Sequence, residues 1–126
     1  MRDAPTPQGV VTPRAPYSPV IRSGDLVYTA GQVAFDVNGD VVPGGVAEQS
    51  RQVLANLEAC LAAAGCTLDD VLKVNVFLVD LAEFAEFNEV YRAAFTEPYP
   101  ARTTVQAGLV EPFRVEIEAV ARVPQT

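Results

Sequence analysis

Two side chains carry chemistry that the rest of the sequence does not duplicate. Arg102 follows Tyr99-Pro100-Ala101 and opens a β-rich run, so it falls at a sheet end where a cleft can form. Its planar guanidinium can hold a carboxylate by two parallel hydrogen bonds, which the point charge of a lysine does not reproduce. Glu116 lies inside an alternating run and supplies a carboxylate able to hold a water. Together they make an anion clamp and a water-binding base, although their separation along the chain does not show that they meet. Each also has an ordinary role open to it: a solvated charge for Arg102, and an ion pair with Arg102 or Arg114 for Glu116. Tyr17, in Pro16-Tyr17-Ser18-Pro19, either anchors its own loop or lines a site. Gly31 suits a close backbone approach or a plain turn. Asn88 sits beside an apolar helix stripe, as a surface amide or a polar wall.

Composition narrows what these residues can do. The chain has no histidine, which removes Ser-His and Cys-His nucleophiles, His-ligated metals and the commonest base near neutral pH. Net charge is −7 and Lys73 is the only lysine, so a grip on nucleic-acid phosphates is not expected. The carboxylates show no metal-ligand spacing, and the two cysteines, Cys60 and Cys66, cannot build a zinc site alone. They read as free thiols in a reducing compartment. No apolar run reaches the roughly 20 residues of a membrane span, and the polar start lacks an apolar leader segment, so a cytoplasmic protein is expected.

The elements that must position the site follow from the hydrophobic period. With 126 residues, 49% of them hydrophobic, the chain is expected to form one domain over 1–126. Prolines 5, 7, 13, 16 and 19 make residues 1–19 an extended arm or loop. Val20–Arg22 and Leu26–Ala30 read as a hairpin about Ser23-Gly24-Asp25, and Asn38-Gly39-Asp40 between Val33–Val37 and Val41–Val42 closes a second small hairpin or a loop. Val46, Val53, Leu54, Leu57, Cys60, Leu61 and Ala64 recur at helical spacing, predicting a helix over 46–64 that stops at Gly65. Thr67-Leu68-Asp69-Asp70 has the form of a capping box. A strand over 73–79, a helix over 81–95 capped by Asp80, and strands over 102–107 and 114–122 complete a β-β-α-β-α-β-β order. Both helices are expected on one sheet face, an α+β two-layer sandwich. Apolar residues on the second face call for another copy of the chain to cover it.

Several stretches together resemble one family. Pro100-Ala101-Arg102-Thr103-Thr104-Val105 and Val115-Glu116-Ile117-Glu118-Ala119 resemble the C-terminal signature of the RidA (YjgF) reactive intermediate deaminases. Ala15-Pro16-Tyr17-Ser18, Thr29-Ala30-Gly31-Gln32, 74–80 and 84–91 agree in order and spacing. The resemblance implies a chorismate-mutase-like fold, a homotrimer with clefts between subunits, and no metal or organic cofactor. It implies hydrolysis of a small 2-imino acid, tautomer of a 2-enamino acid, to a 2-oxo acid and ammonia. Arg102 would then clamp the substrate carboxylate and Glu116 would orient or activate the water, with Tyr17, Gly31, Asn88 and Thr104 binding substrate. Thr104 stands where deaminating relatives often have cysteine, Ala30 where they often have serine, and the segment before Pro100 is shorter. These departures leave open a pathway-specific enamine or imine hydrolase or tautomerase, or a trimer that only binds small carboxylates or a client protein.

Overall fold

The computed structural model describes residues 2–125; Met1 and Thr126, the two ends of the expected domain, lie outside the described residues. Strands β1 (Val20–Ser23) and β2 (Leu26–Thr29) form the expected hairpin, turning at Gly24, whose φ of +62° favours glycine. The second small hairpin is reduced to a single bridge, Phe35 to Val41. Between them the Asp36 carboxylate accepts from the backbone N–H groups of Asn38 and Asp40, closing the loop, the second of the two forms expected here.

Helix α1 (Val46–Ala63) buries Val46, Val53, Leu57, Cys60 and Leu61. Its end is a Schellman turn: the Gly65 N–H donates to the Ala62 carbonyl at 3.1 Å and the Cys66 N–H to the Leu61 carbonyl at 2.8 Å. The capping box at Thr67 and Asp70 is present and leads into β3 (Val71–Leu78). The expected helix over 81–95 splits into a 3₁₀ turn at Leu81–Glu83 and helix α2 (Phe84–Ala94). Asp80 accepts from the Ala82 N–H and so starts the tighter turn, which leaves Leu81 and Phe84 exposed while Phe87 and Tyr91 are buried. Strands β4 (Ala101–Gln106) and β5 (Val115–Arg122) close the chain.

The sheet order is β1-β2-β5-β3-β4. Only β3 and β4 run parallel, with α2 as the crossover between them. Period-two alternation puts Val74, Val76 and Leu78 of β3, and Val115, Ile117, Ala119 and Ala121 of β5, into one core with α1 and Phe87 of α2. The other sheet face carries Lys73, Asn75 and Phe77 beside Glu116, Glu118 and Val120, with Tyr28 and Val105 exposed on it.

Two buried amides of α1 fasten the loops that reach this sheet. The Asn56 side chain donates to the carbonyls of Val33 at 3.1 Å and Phe35 at 3.0 Å, and accepts from Gln52. Gln49 donates to the Pro112 carbonyl and accepts from the Arg114 N–H. Asn56 therefore holds the segment that begins at Gly31. Replacing it leaves two half-buried carbonyls without their side-chain donor, at about 1–3 kcal/mol for a fully unsatisfied group and less where water reaches it. Asn56→Ala should lower unfolding free energy by roughly 2–4 kcal/mol in denaturant titrations at matched protein concentration. A loss below about 1 kcal/mol would show that these bonds do not hold the segment.

Candidate active site

Strand pairing decides where the candidate residues point. Arg102 lies opposite Val74 and Thr104 opposite Val76, and both valines face the helices. Arg102 and Thr104 therefore turn toward α2. The Arg102 guanidinium carbon sits 4.7 Å from the ring centre of Tyr91, 5.6 Å from Phe84 and 5.7 Å from Phe87. Arg102, Asn88, Tyr91 and Tyr99 line a cavity of about 290 Å³. Among the described residues, Arg102 has no ion pair and its side chain makes no hydrogen bond. The hydroxyls of Tyr91 and Thr104 are buried with no hydrogen-bond partner among the described residues. Burial pushes the Tyr91 phenol up to about 12 against the opposing pull of the Arg102 charge, so it stays neutral.

Glu116 occupies the other face. It pairs with Phe77, one step out of phase with the core-facing residues of β5. Its neighbour is Gly31: a Cβ at that position would come within 2.8 Å of the Glu116 carboxyl carbon. The backbone exchanges two hydrogen bonds between Gln32 and Ile117, which brings Gly31 against β5. Gly31, Tyr17, Arg14 and Gln32 line a second cavity of about 240 Å³ between the arm and the strand end. Burial, reinforced by the charge of Glu118, raises the Glu116 carboxyl above the ordinary glutamate value.

The six candidates thus form two groups. Arg102, Asn88 and Thr104 lie between β4 and α2, and Glu116, Gly31 and Tyr17 lie about the opposite face and the arm. Within one chain the sheet separates Arg102 from Glu116. The ordinary ion pair considered for Glu116 is absent among the described residues, because Arg114 donates instead to Glu83 at 2.7 Å. Phe84 and Tyr91 were not expected beside Arg102, because apolar residues at helical spacing read first as core. Phe84 betrays itself by its position in the first helical turn, before the stripe is fully covered. Arg14, exposed at the edge of the second cavity, was not among the candidates, because nothing in a proline-rich arm fixes where its side chain lies. Among the described residues, no group of three or more His, Cys, Asp or Glu side chains could hold a metal ion.

Comparison with known proteins points the same way along almost the whole chain. The sequence pattern of the family described as endoribonuclease L-PSP matches residues 8–123. The 2-iminobutanoate/2-iminopropanoate deaminase of Mus musculus is 44% identical over 108 residues, covering 84% of this chain and 80% of its own. The 3-aminoacrylate deaminase RutC of Acinetobacter baylyi is 42% identical over 119 residues, covering 93% of this chain and 94% of its own. The crystal structure of E. coli TdcF with bound serine superposes with a TM-score of 0.90 at 35% identity, covering 97% of this chain and 99% of that one.

The raised Glu116 carboxyl has a consequence for stability. A carboxyl whose native pKa exceeds its unfolded one binds more protons when folded. Its contribution to stability is present below the unfolded value and is lost as pH rises through the native value. At neutral pH the ionised Glu116 therefore opposes folding. Glu116→Gln should raise the melting temperature at neutral pH, and the difference should vanish below about pH 3, where the carboxyl is protonated in both the folded and unfolded chain. A lower melting temperature at neutral pH would contradict the burial of that charge.

Proposed function

The chain belongs to the endoribonuclease L-PSP family, the YjgF/RidA family, and on that premise we propose that it hydrolyses small 2-imino acids to 2-oxo acids and ammonia. The observation that carries this reading is Arg102. It is an arginine fixed over aromatic rings at a cavity, with none of its donors taken by an acidic group among the described residues. Such a group receives a carboxylate by two parallel bonds. Asn88 and Thr104 border the place where the substrate would lie, and Tyr17 and Gly31 border the base.

A protonated imine carbon is already electrophilic, so the reaction needs placement and a modest base more than a nucleophile. In this reading Glu116 takes a proton from water as the oxygen adds to the C=N carbon. The product of addition carries hydroxyl and amino groups on one carbon. Glu116 returns the proton to nitrogen, the C–N bond breaks, and the electron pair leaves with ammonia as the C=O bond forms. Water thus supplies the carbonyl oxygen and the released proton completes ammonium. A carboxyl raised by burial is a stronger base than an exposed one, which suits this role.

Because the sheet separates Arg102 from Glu116 in one chain, the reading includes assembly. The Arg102 group of one copy faces the Glu116 group of another across a shared cleft, with a homotrimer as the assembly expected for the family. The uncovered sheet face, bearing Tyr28, Val105 and Val120, supplies apolar surface for such contacts. The whole chain acts as one domain in this account. A reducing, cytoplasmic setting belongs to the same reading, supported by the two buried unpaired thiols. RNA cleavage, which the family description names, fits poorly with a net charge of −7 and one lysine.

The test generates 2-iminopropanoate or 2-iminobutanoate with an amino-acid oxidase or a threonine dehydratase and traps it with semicarbazide. The protein should reduce trapping by diverting imine to 2-oxo acid. Arg102→Ala should lower kcat/KM by roughly ten- to a hundredfold, the worth of a charge-assisted carboxylate contact. Trapping that is unchanged by the wild-type protein would remove the deaminase reading.

A further inference from the structure

The guanidinium of Arg102 is held by a surface that leaves its donors free. A carboxylate partner would fix an arginine but would occupy its N–H fork and neutralise its charge. A ring face attracts the same cation through its quadrupole and accepts none of the in-plane N–H bonds. Phe84, Phe87 and Tyr91, spaced one turn apart along α2, all lie within 5.7 Å of the guanidinium carbon. Tyr91 and Phe87 are in turn locked into the core. Tyr91 stacks against Phe95 at 4.5 Å, and Phe87 lies 5.7 Å from Tyr91. Phe84 is different, because it is 39% exposed and contributes little to the core. An exposed phenylalanine at the start of a helix has no folding reason to be aromatic there, whereas contact with Arg102 supplies one.

We propose that Phe84 and Tyr91 are positioning residues for Arg102, forming an aromatic cradle that orders the guanidinium for a small carboxylate ligand. The inference rests on the reading of Arg102 as the carboxylate clamp and deepens it. The cradle acts through the π faces and not through the Tyr91 hydroxyl, which is buried without a partner. Tyr91→Phe therefore keeps the cradle, and an aliphatic side chain of similar bulk does not. The rings act on binding more than on the bond-making steps, so their loss falls on KM.

The experiment measures binding of 2-oxobutanoate by calorimetry, together with KM and kcat for 2-iminobutanoate, on the full-length protein. The variants are Phe84→Leu, Phe84→Tyr, Arg102→Ala and the double variant Phe84→Leu with Arg102→Ala. Exposure of Phe84 makes its replacement compatible with folding, and unchanged circular dichroism confirms that. Phe84→Leu should weaken binding and raise KM about three- to tenfold with a smaller change in kcat, while Phe84→Tyr stays within about twofold of wild type. In the Arg102→Ala background, Phe84→Leu should add less than about twofold, because the ring acts through the arginine. Equal losses for Phe84→Leu and Phe84→Tyr, no loss for Phe84→Leu, or the same loss with and without Arg102 would each overturn the cradle. If Arg102→Ala itself leaves binding and KM unchanged, the carboxylate-clamp reading fails, an outcome read separately from the Phe84 variants.

Discussion

The register of β3 with its two neighbours is the constraint from which the site follows. Val74 pairs with Arg102 on one side, and Phe77 pairs with Glu116 on the other. Residues 74 and 77 have opposite parity on a strand, so the two candidate side chains are sent to opposite faces. A slip of one residue in the β3–β5 pairing would put Arg102 and Glu116 on one face and would also turn Val115, Ile117, Ala119 and Ala121 out of the core. Burial of these β5 side chains therefore protects the separation of Arg102 from Glu116. The hydrophobic core decides that one chain presents the two candidates on opposite faces.

The two candidate charges sit in different surroundings. Arg102 lies over ring faces and meets no acidic partner among the described residues, so its donors are left free. Glu116 is pushed toward its neutral form by burial and by Glu118, with Gly31 giving it room by having no Cβ. Neither arrangement is what stability alone would select: an arginine gains by pairing and a buried carboxylate costs free energy. By contrast Arg114, whose role is structural, has its carboxylate at Glu83.

Much of this was legible in the residues because it rests on local pattern. The alternation in Val115–Arg122 fixed which face Glu116 takes, and the helical spacing from Val46 with Gly65 beyond it located α1 and its Schellman end. The capping box at Thr67 was equally local. The candidate residues themselves came from motif resemblance, and their grouping did not. Whether Arg102 faces with or against Glu116 depends on the pairing of β4 and β5 with a common neighbour, which involves residues far apart in sequence. The same is true of the cradle, since Phe84 reads as one more apolar position until α2 is laid beside β4. The splitting of the second helix escaped notice because Asp80 caps a 3₁₀ turn and an α-helix with the same bond.

The central claim is that a complete site takes Arg102 from one copy and Glu116 from another. Two inactive variants, Arg102→Ala and Glu116→Gln, are mixed in equal amounts, dissociated and reassembled, and assayed by imine trapping. Random assembly pairs an intact Arg102 with an intact Glu116 in roughly a quarter of clefts, so activity should return to about that fraction of wild type. Reassembled mixtures that stay as inactive as either parent, while reassembled wild type recovers, would contradict a site shared between copies.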